Sequence, residues 1–208
     1  MALSTEPLDD RVLCAPWNHR GTVEAAVLLR SGGGRMERRV FLKLTGPALT
    51  APVHQWLVHE PGPLVSGLSG RRVSAGLVDR FTAMIAELRR MDDVAGGGTV
   101  LSLAQHEFDL VAGLLDQASY NEPTGRKLHV LLANLGQLAG WGAYDAGQPG
   151  LAQRYNVAAL RAAHSADDRA LGAHILASMA KQTAHQGRPA EAVTLVETAV
   201  LGARGHQT

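Results

Sequence analysis

The residues able to do chemistry are scattered along the chain rather than grouped. There are nine histidines, one cysteine and 19 carboxylates. Two histidines one helical turn apart, with a glutamate beside the first, would hold zinc and supply a base, but no HExxH run occurs. His174 and His185 share one predicted helix, separated by roughly 16 Å of axial rise, too far for one ion. His164 opens His164-Ser165-Ala166-Asp167-Asp168, a predicted helix–helix connection, and is expected at the surface or in a cap. Asp92-Asp93 could form an acid–base pair. Carboxylates oppose the dipole at a helix C-terminus, so the pair is expected just past its helix, in solvent. Gly96-Gly97-Gly98 has neither the preceding strand nor the following Lys-Ser/Thr of a phosphate loop and reads as a linker. Ser102, Ser178 and Cys14 lack the strand–turn–helix setting of an activated nucleophile. A single thiol excludes an internal disulfide and a multi-thiolate metal site. The chain carries no enzyme signature, and neither cofactor nor metal is expected.

The elements that would position any site are more informative. Gly147, Pro149, Ala152, Ala159 and Ala163 recur, 40 residues later, as Gly187, Pro189, Ala192, Ala199 and Ala203. Each unit reads as a helix, a tight turn at the glycine and a second helix. Glycine enters the left-handed region that ends a helix without a Cβ clash. Proline two residues later falls in the first turn of the next helix, where its missing N–H is harmless. Ala152/Ala159 and Ala192/Ala199 are seven apart, so each pair lies on one helix face and allows close approach of a neighbour. This grammar predicts an all-α fold of antiparallel helix pairs stacked as a short tetratricopeptide-like solenoid. The usual period is about 34 residues, so the first helix of each pair would be long.

In chain order, residues 1–20 show no sustained period and are read as extended, with Trp17 free to dock. Thr22 to Arg30 predicts a short helix with Thr22 as N-cap. It ends at Ser31-Gly32-Gly33-Gly34. Four prolines between residues 47 and 63 divide the next segment, where Val53 to His59 predicts a turn or two. The reading gives three domains: a poorly structured N-terminal linker with a short helix (1–34), a Pro/Gly-rich linker (35–70) and a helical repeat domain (71–208). The last is expected to hold six helices in three antiparallel pairs. Leu77, Phe81, Ile85, Leu88 and Met91 mark its first, with Ser74 as N-cap. The second, over 100–119, has Leu103, Val111, Leu114, Leu115 and Ala118 on its apolar side.

In helical solenoids the first helix of each pair lines the concave, ligand-facing surface. Trp141, Tyr144 and Gln182 belong to such helices and form the candidate partner surface. Tyr155, Arg154 and Asn156 lie near them, and the alternative that the aromatics fill core stays open. The last helix carries apolar residues on more than one face, including Val193, Val196 and Val200, which favours self-association. The expected partner is a protein or peptide, with a homodimer one form of it.

Bulk properties narrow the classes further. The net charge is +1, and only 4% of residues are aromatic against 46% hydrophobic, which suits closely packed Ala- and Leu-rich helices. Such a charge gives no drive towards nucleic acid or anionic membrane, and no apolar run approaches the ~18 residues of a membrane span. Arg38-Arg39-Val40-Phe41-Leu42-Lys43 matches the core of a twin-arginine export signal, although Glu37 stands where the pattern has Ser or Thr. The run after Lys43 is broken by Gly46 and Pro47, so the motif is read as a segment of a cytoplasmic chain. Phe41, Leu42 and Leu44 are then expected to pack on the helical domain, with Arg38 and Arg39 in solvent. The alternative is an exported binding protein, with translation from Met36 placing the motif at the terminus.

The stretches MERRVFLKLTGPALTAPVHQWLVHEPGP, GLLDQASYNEPTGRKLHV, LGQLAGWGAYDAGQ and LAQRYNVAALRAAHSADDRALGAHILASMAKQTAHQGRPAEAVTLVETA resemble a family of bacterial XRE-type transcriptional regulators. The resemblance runs from about residue 16 onward. Members join an N-terminal helix-turn-helix to a C-terminal tetratricopeptide-like domain. It implies a non-enzymatic sensor or protein-interaction module. It also implies a member truncated at both ends and lacking its own DNA-binding domain, since only 16 residues precede Trp17 and the family's repeats run beyond residue 208.

Overall fold

A computed structural model describes residues 12–32, 43–62, 64, 70–95 and 97–204. The fold is all-α. Its helices are α1 (His19–Gly32), α2 (Pro47–Val58), α3 (Ala75–Ala95), α4 (Gly97–Gln117), α5 (Glu122–Asp145), α6 (Pro149–Ser165), α7 (Arg169–His185) and α8 (Pro189–Arg204). Residues 12–14 add a helical turn. From α3 onward, sequence neighbours pack antiparallel, joined by short connections. Ser74 Oγ accepts the Leu77 N–H at 3.3 Å to cap α3, and Asn121 caps α5 through the Thr124 N–H at 3.1 Å. Asp92 and Asp93 lie inside α3 rather than past its end, because that helix runs on to Ala95. The expected glycine linker is likewise shorter, since α4 already begins at Gly97.

The three turns from α5 to α8 are one motif repeated every 20 residues, half the period read from identities. Gly147, Asp167 and Gly187 adopt φ 73°, 57° and 75°. In each, the left-handed residue donates its N–H three residues back: Gly147 to Tyr144, Asp167 to His164, Gly187 to Ala184. The next residue reaches five back: Gln148 to Ala143, Asp168 to Ala163, Arg188 to Thr183. This double closure satisfies carbonyls that a helix end leaves open. Two turns use glycine. The third uses Asp167, and Asp168 beside it caps α7 by accepting the Leu171 N–H at 2.9 Å.

The seam between α5 and α6 is built from small residues. A Cβ on Gly136 would lie 3.0 Å from Ala159 Cβ, and one on Gly140 would lie 2.5 Å from Asn156 Oδ1. Ala152 and Ala159 are fully buried; Ala192 and Ala199, at the matching places in α8, are 8% and 7% exposed.

Helices α3, α5 and α7 form one layer, and α4, α6 and α8 lie behind it. The N-terminal helices complete the second layer: α1 packs on α4 and α6, and α2 packs on α6 and α8. As a result, every residue of α6 from Gly150 to Ser165 is buried. The expectation of a poorly structured segment before residue 71 therefore fails for its described part. Val12, Ala15, Val23, Leu44, Leu49, Val53 and Trp56 are core residues. Thr22 is not an N-cap. Asn18 takes that place, its Oδ1 accepting the Gly21 N–H at 2.9 Å, and Thr22 instead points inward to the Ser165 hydroxyl at 2.9 Å. Helix α2 is longer than the expected turn or two because Pro47 begins it, where a missing N–H is tolerated. Leu103, expected on the apolar side of α4, is 44% exposed, while Val111, Leu115 and Ala118 are buried. No helix among the described residues is long and apolar enough to cross a membrane.

Candidate interaction surface

The front layer of α3, α5 and α7 carries the aromatic candidates at one end and a groove at the other. Trp141 and Tyr144 stand one helical turn apart on α5, both half-buried, with ring centroids 6.2 Å apart. From α7, Lys181 Nζ sits 4.7 Å from the Trp141 ring centre, and His185 lies 6.4 Å from Tyr144. The pair is thus a partly open aromatic surface carrying a cation. Gln182 is not part of it. It is 3% exposed and its Oε1 accepts from Asn156 Nδ2 at 3.1 Å. The one-residue step from Lys181 rotates it about 100° around α7, from the open face to the α6 side. Tyr155 is core, edge-to-face on Phe108 at 5.3 Å.

About 22 Å down α5, at the Arg126 end, α3, α5, the α6–α7 turn with the start of α7, and Ala203 near the end of α8 line a groove of about 940 Å³. Val78, Val130, Leu131 and Ala170 give it an apolar floor, and Asp79, Lys127, Asp167 and Arg169 line it with charge of both signs. Arg126 braces one wall, donating to the Ala166 carbonyl at 3.1 Å and pairing with Glu122.

Behind this layer the polar residues of α6 face the N-terminal segment. Arg161 is fully buried and pairs with no carboxylate among the described residues. It donates to the carbonyls of Pro16 (3.1 Å) and Leu13 (2.6 Å), with the Trp17 ring 4.5 Å away. Burial lowers its pKa to about 10, so it stays charged at neutral pH. His164, expected at the surface, is 5% exposed because Trp17 covers it edge-on at 5.4 Å; burial pushes it down to about 4. Gln153 holds Leu44 by its main chain, accepting the N–H at 2.6 Å and donating to the C=O at 3.1 Å.

A second buried pair joins α1 to α5. His129 Nδ1 donates to the Gly125 carbonyl at 2.8 Å, so its Nε2 accepts from His19 Nδ1 at 3.1 Å. That arrangement requires His129 to be neutral, since its Nε2 must accept, and burial holds His129 down near pKa 4 and lowers His19 as well. No local pattern signals this pair, whose members are 110 residues apart.

Arg38, Arg39, Phe41 and Leu42 of the twin-arginine-like motif lie outside the described residues; Lys43 is exposed and Leu44 is buried on the core. Cys14 is a free, exposed thiol. Among the described residues no three His, Cys, Asp or Glu converge on a possible metal position. No protein-family model, curated protein or solved structure matches the chain.

Proposed function

We propose that this chain is a non-enzymatic helical-repeat module of a cytoplasmic transcriptional regulator, binding a protein or peptide partner on the α3–α5–α7 face. The observation that carries the reading is the repeated turn at residues 147, 167 and 187, which spaces helices α6, α7 and α8 at equal steps. Equal steps are how a tetratricopeptide-like solenoid generates an extended binding surface. The groove beside Lys127, with its apolar floor and mixed charges, suits an amphipathic peptide or helix. Trp141 and Tyr144 extend that surface with the residue types that dominate interface energetics. The resemblance to XRE-type regulators supplies the regulatory role, and the near-zero net charge fits a member that does not itself grip DNA.

The export alternative draws no support from the residues after Lys43. Leu44, Leu49, Val53 and Trp56 are committed to the core, and the run lacks the uninterrupted apolar stretch of a signal.

The test is transcript profiling of cells lacking the gene, complemented by the wild type, by Lys127→Glu or by Trp141→Ala. A discrete set of transcripts should change on deletion, return with the wild type, and fail to return with either surface variant. An unchanged transcript profile on deletion would reject the regulatory role. Full complementation by both variants would move the binding surface elsewhere.

A further inference from the structure

The α2 arm is seated in a manner that differs from ordinary helix packing. Residues 43–45 form no regular structure, so their main-chain groups need outside partners. Gln153 supplies both at Leu44, its amide standing in for a neighbouring strand. Glu191, in the first turn of α8, accepts the Gly46 N–H at 3.1 Å. Gly46 itself is at φ 54°, a conformation other residues avoid. Leu44 is 7% exposed, and Trp56, 1% exposed, fills a slot made by the absence of two side chains. A Cβ on Gly172 would lie 2.6 Å from the indole, and one on Gly202 only 2.1 Å from it. Main-chain readout, one apolar pocket, a glycine-specific bend and an indole slot are together the apparatus of peptide recognition.

We propose that the groove formed by α6, α8 and the start of α7 is a peptide-binding site, occupied in cis by residues 43–58. The ligand class is a short extended segment with a buried leucine, a glycine two residues on, and a helix bearing a tryptophan ten residues after that glycine. A peptide of this kind supplied in trans takes the groove when the chain's own arm is out. The proposal stands apart from the regulatory role, since its contacts are made by Gln153, Gly172, Glu191 and Gly202, none of which lines the Lys127 groove.

The test uses the full chain and a fluorescein-labelled synthetic peptide of residues 43–59, read by anisotropy. Trp56→Ala and the milder Trp56→Leu weaken the arm, while the peptide retains its own tryptophan. Both variants should bind the peptide saturably. The wild type should bind at least about tenfold more weakly, because its site is open only a small fraction of the time. Adding Gln153→Leu or Gly202→Leu to Trp56→Leu should abolish binding. If the Trp56 variants are unfolded alone, the unlabelled peptide should restore a cooperative helical melt, as any ligand of the folded state does. Folded variants that ignore the peptide, unfolded variants that it fails to rescue, or wild type that binds as tightly as the variants would overturn the site.

Discussion

Ala159→Leu probes the α5–α6 seam where it is tightest. The residue is 0% exposed, and its Cβ already lies 3.0 Å from where a Gly136 Cβ would be. The Phe108 ring and the Tyr155 carbonyl both stand 3.2 Å from that same point, so the gap over Gly136 cannot take a leucine's extra atoms without a shift. Overpacking of this kind destabilises by about 1–3 kcal/mol. For a chain of this size each kcal/mol moves the melting temperature by roughly 2–4 °C, so the expected fall is roughly 2–12 °C. Circular dichroism at 222 nm through a thermal ramp reads it. Ala83→Leu, on an exposed position of α3, is the control and should change stability by less than about 0.5 kcal/mol. A melt of Ala159→Leu that superimposes on the wild type would show that α5 and α6 do not touch there.

Three further outcomes are expected. His129 is held neutral, with its folded pKa near 4 below the ordinary 6.5. The unfolded chain therefore binds the extra proton first, and stability present above pH 6.5 is lost as pH falls towards 4. Urea melts should show a loss of roughly 2 kcal/mol from this group by pH 5, and His129→Gln should flatten that part of the profile; an identical pH slope in the variant would refute the assignment. Asp167→Gly relieves a non-glycine left-handed residue at a helix C-terminus, and should stabilise by about 0.5–1 kcal/mol, whereas Gly187→Ala should destabilise by about 1 kcal/mol; the same melts with the signs reversed would contradict the shared turn geometry. Val193, Val196, Val200 and Leu201 are each 41–56% exposed along α8, so sedimentation velocity should show self-association that Val196→Asp weakens, and a monomer at tens of micromolar (an order-of-magnitude concentration) would count against it.

The parts of the fold legible in the sequence are those governed by local chemistry. Gly147 and Gly187 announce their turns because only glycine takes a left-handed conformation freely. Asp167 makes the same turn, but nothing about an aspartate in a polar connection marks it, so the 20-residue step hides behind the 40-residue one. Helix α6 misleads for another reason. Gln153, Arg154, Asn156, Arg161, His164 and Ser165 give it the look of a half-exposed helix. Arg161 and Gln153 are buried because their partners are main-chain groups of Leu13, Pro16 and Leu44, over a hundred residues away. Backbone carbonyls leave no trace in side-chain periodicity. The same holds for the surface. Trp141 and Tyr144 fall on one face of α5 by simple spacing, but Gln182 turns inward because Asn156 of the neighbouring helix awaits it.

Site-specific photocrosslinking in the native cell tests most directly that the α3–α5–α7 face receives the partner. A photoreactive residue placed at Lys127 or at Trp141 should yield one discrete protein adduct, the same from both positions. The same residue at the exposed Arg20 on α1, in the opposite layer, should yield none. An adduct from Arg20 with none from Lys127 or Trp141, or no adduct from any position, would contradict the assignment of that face.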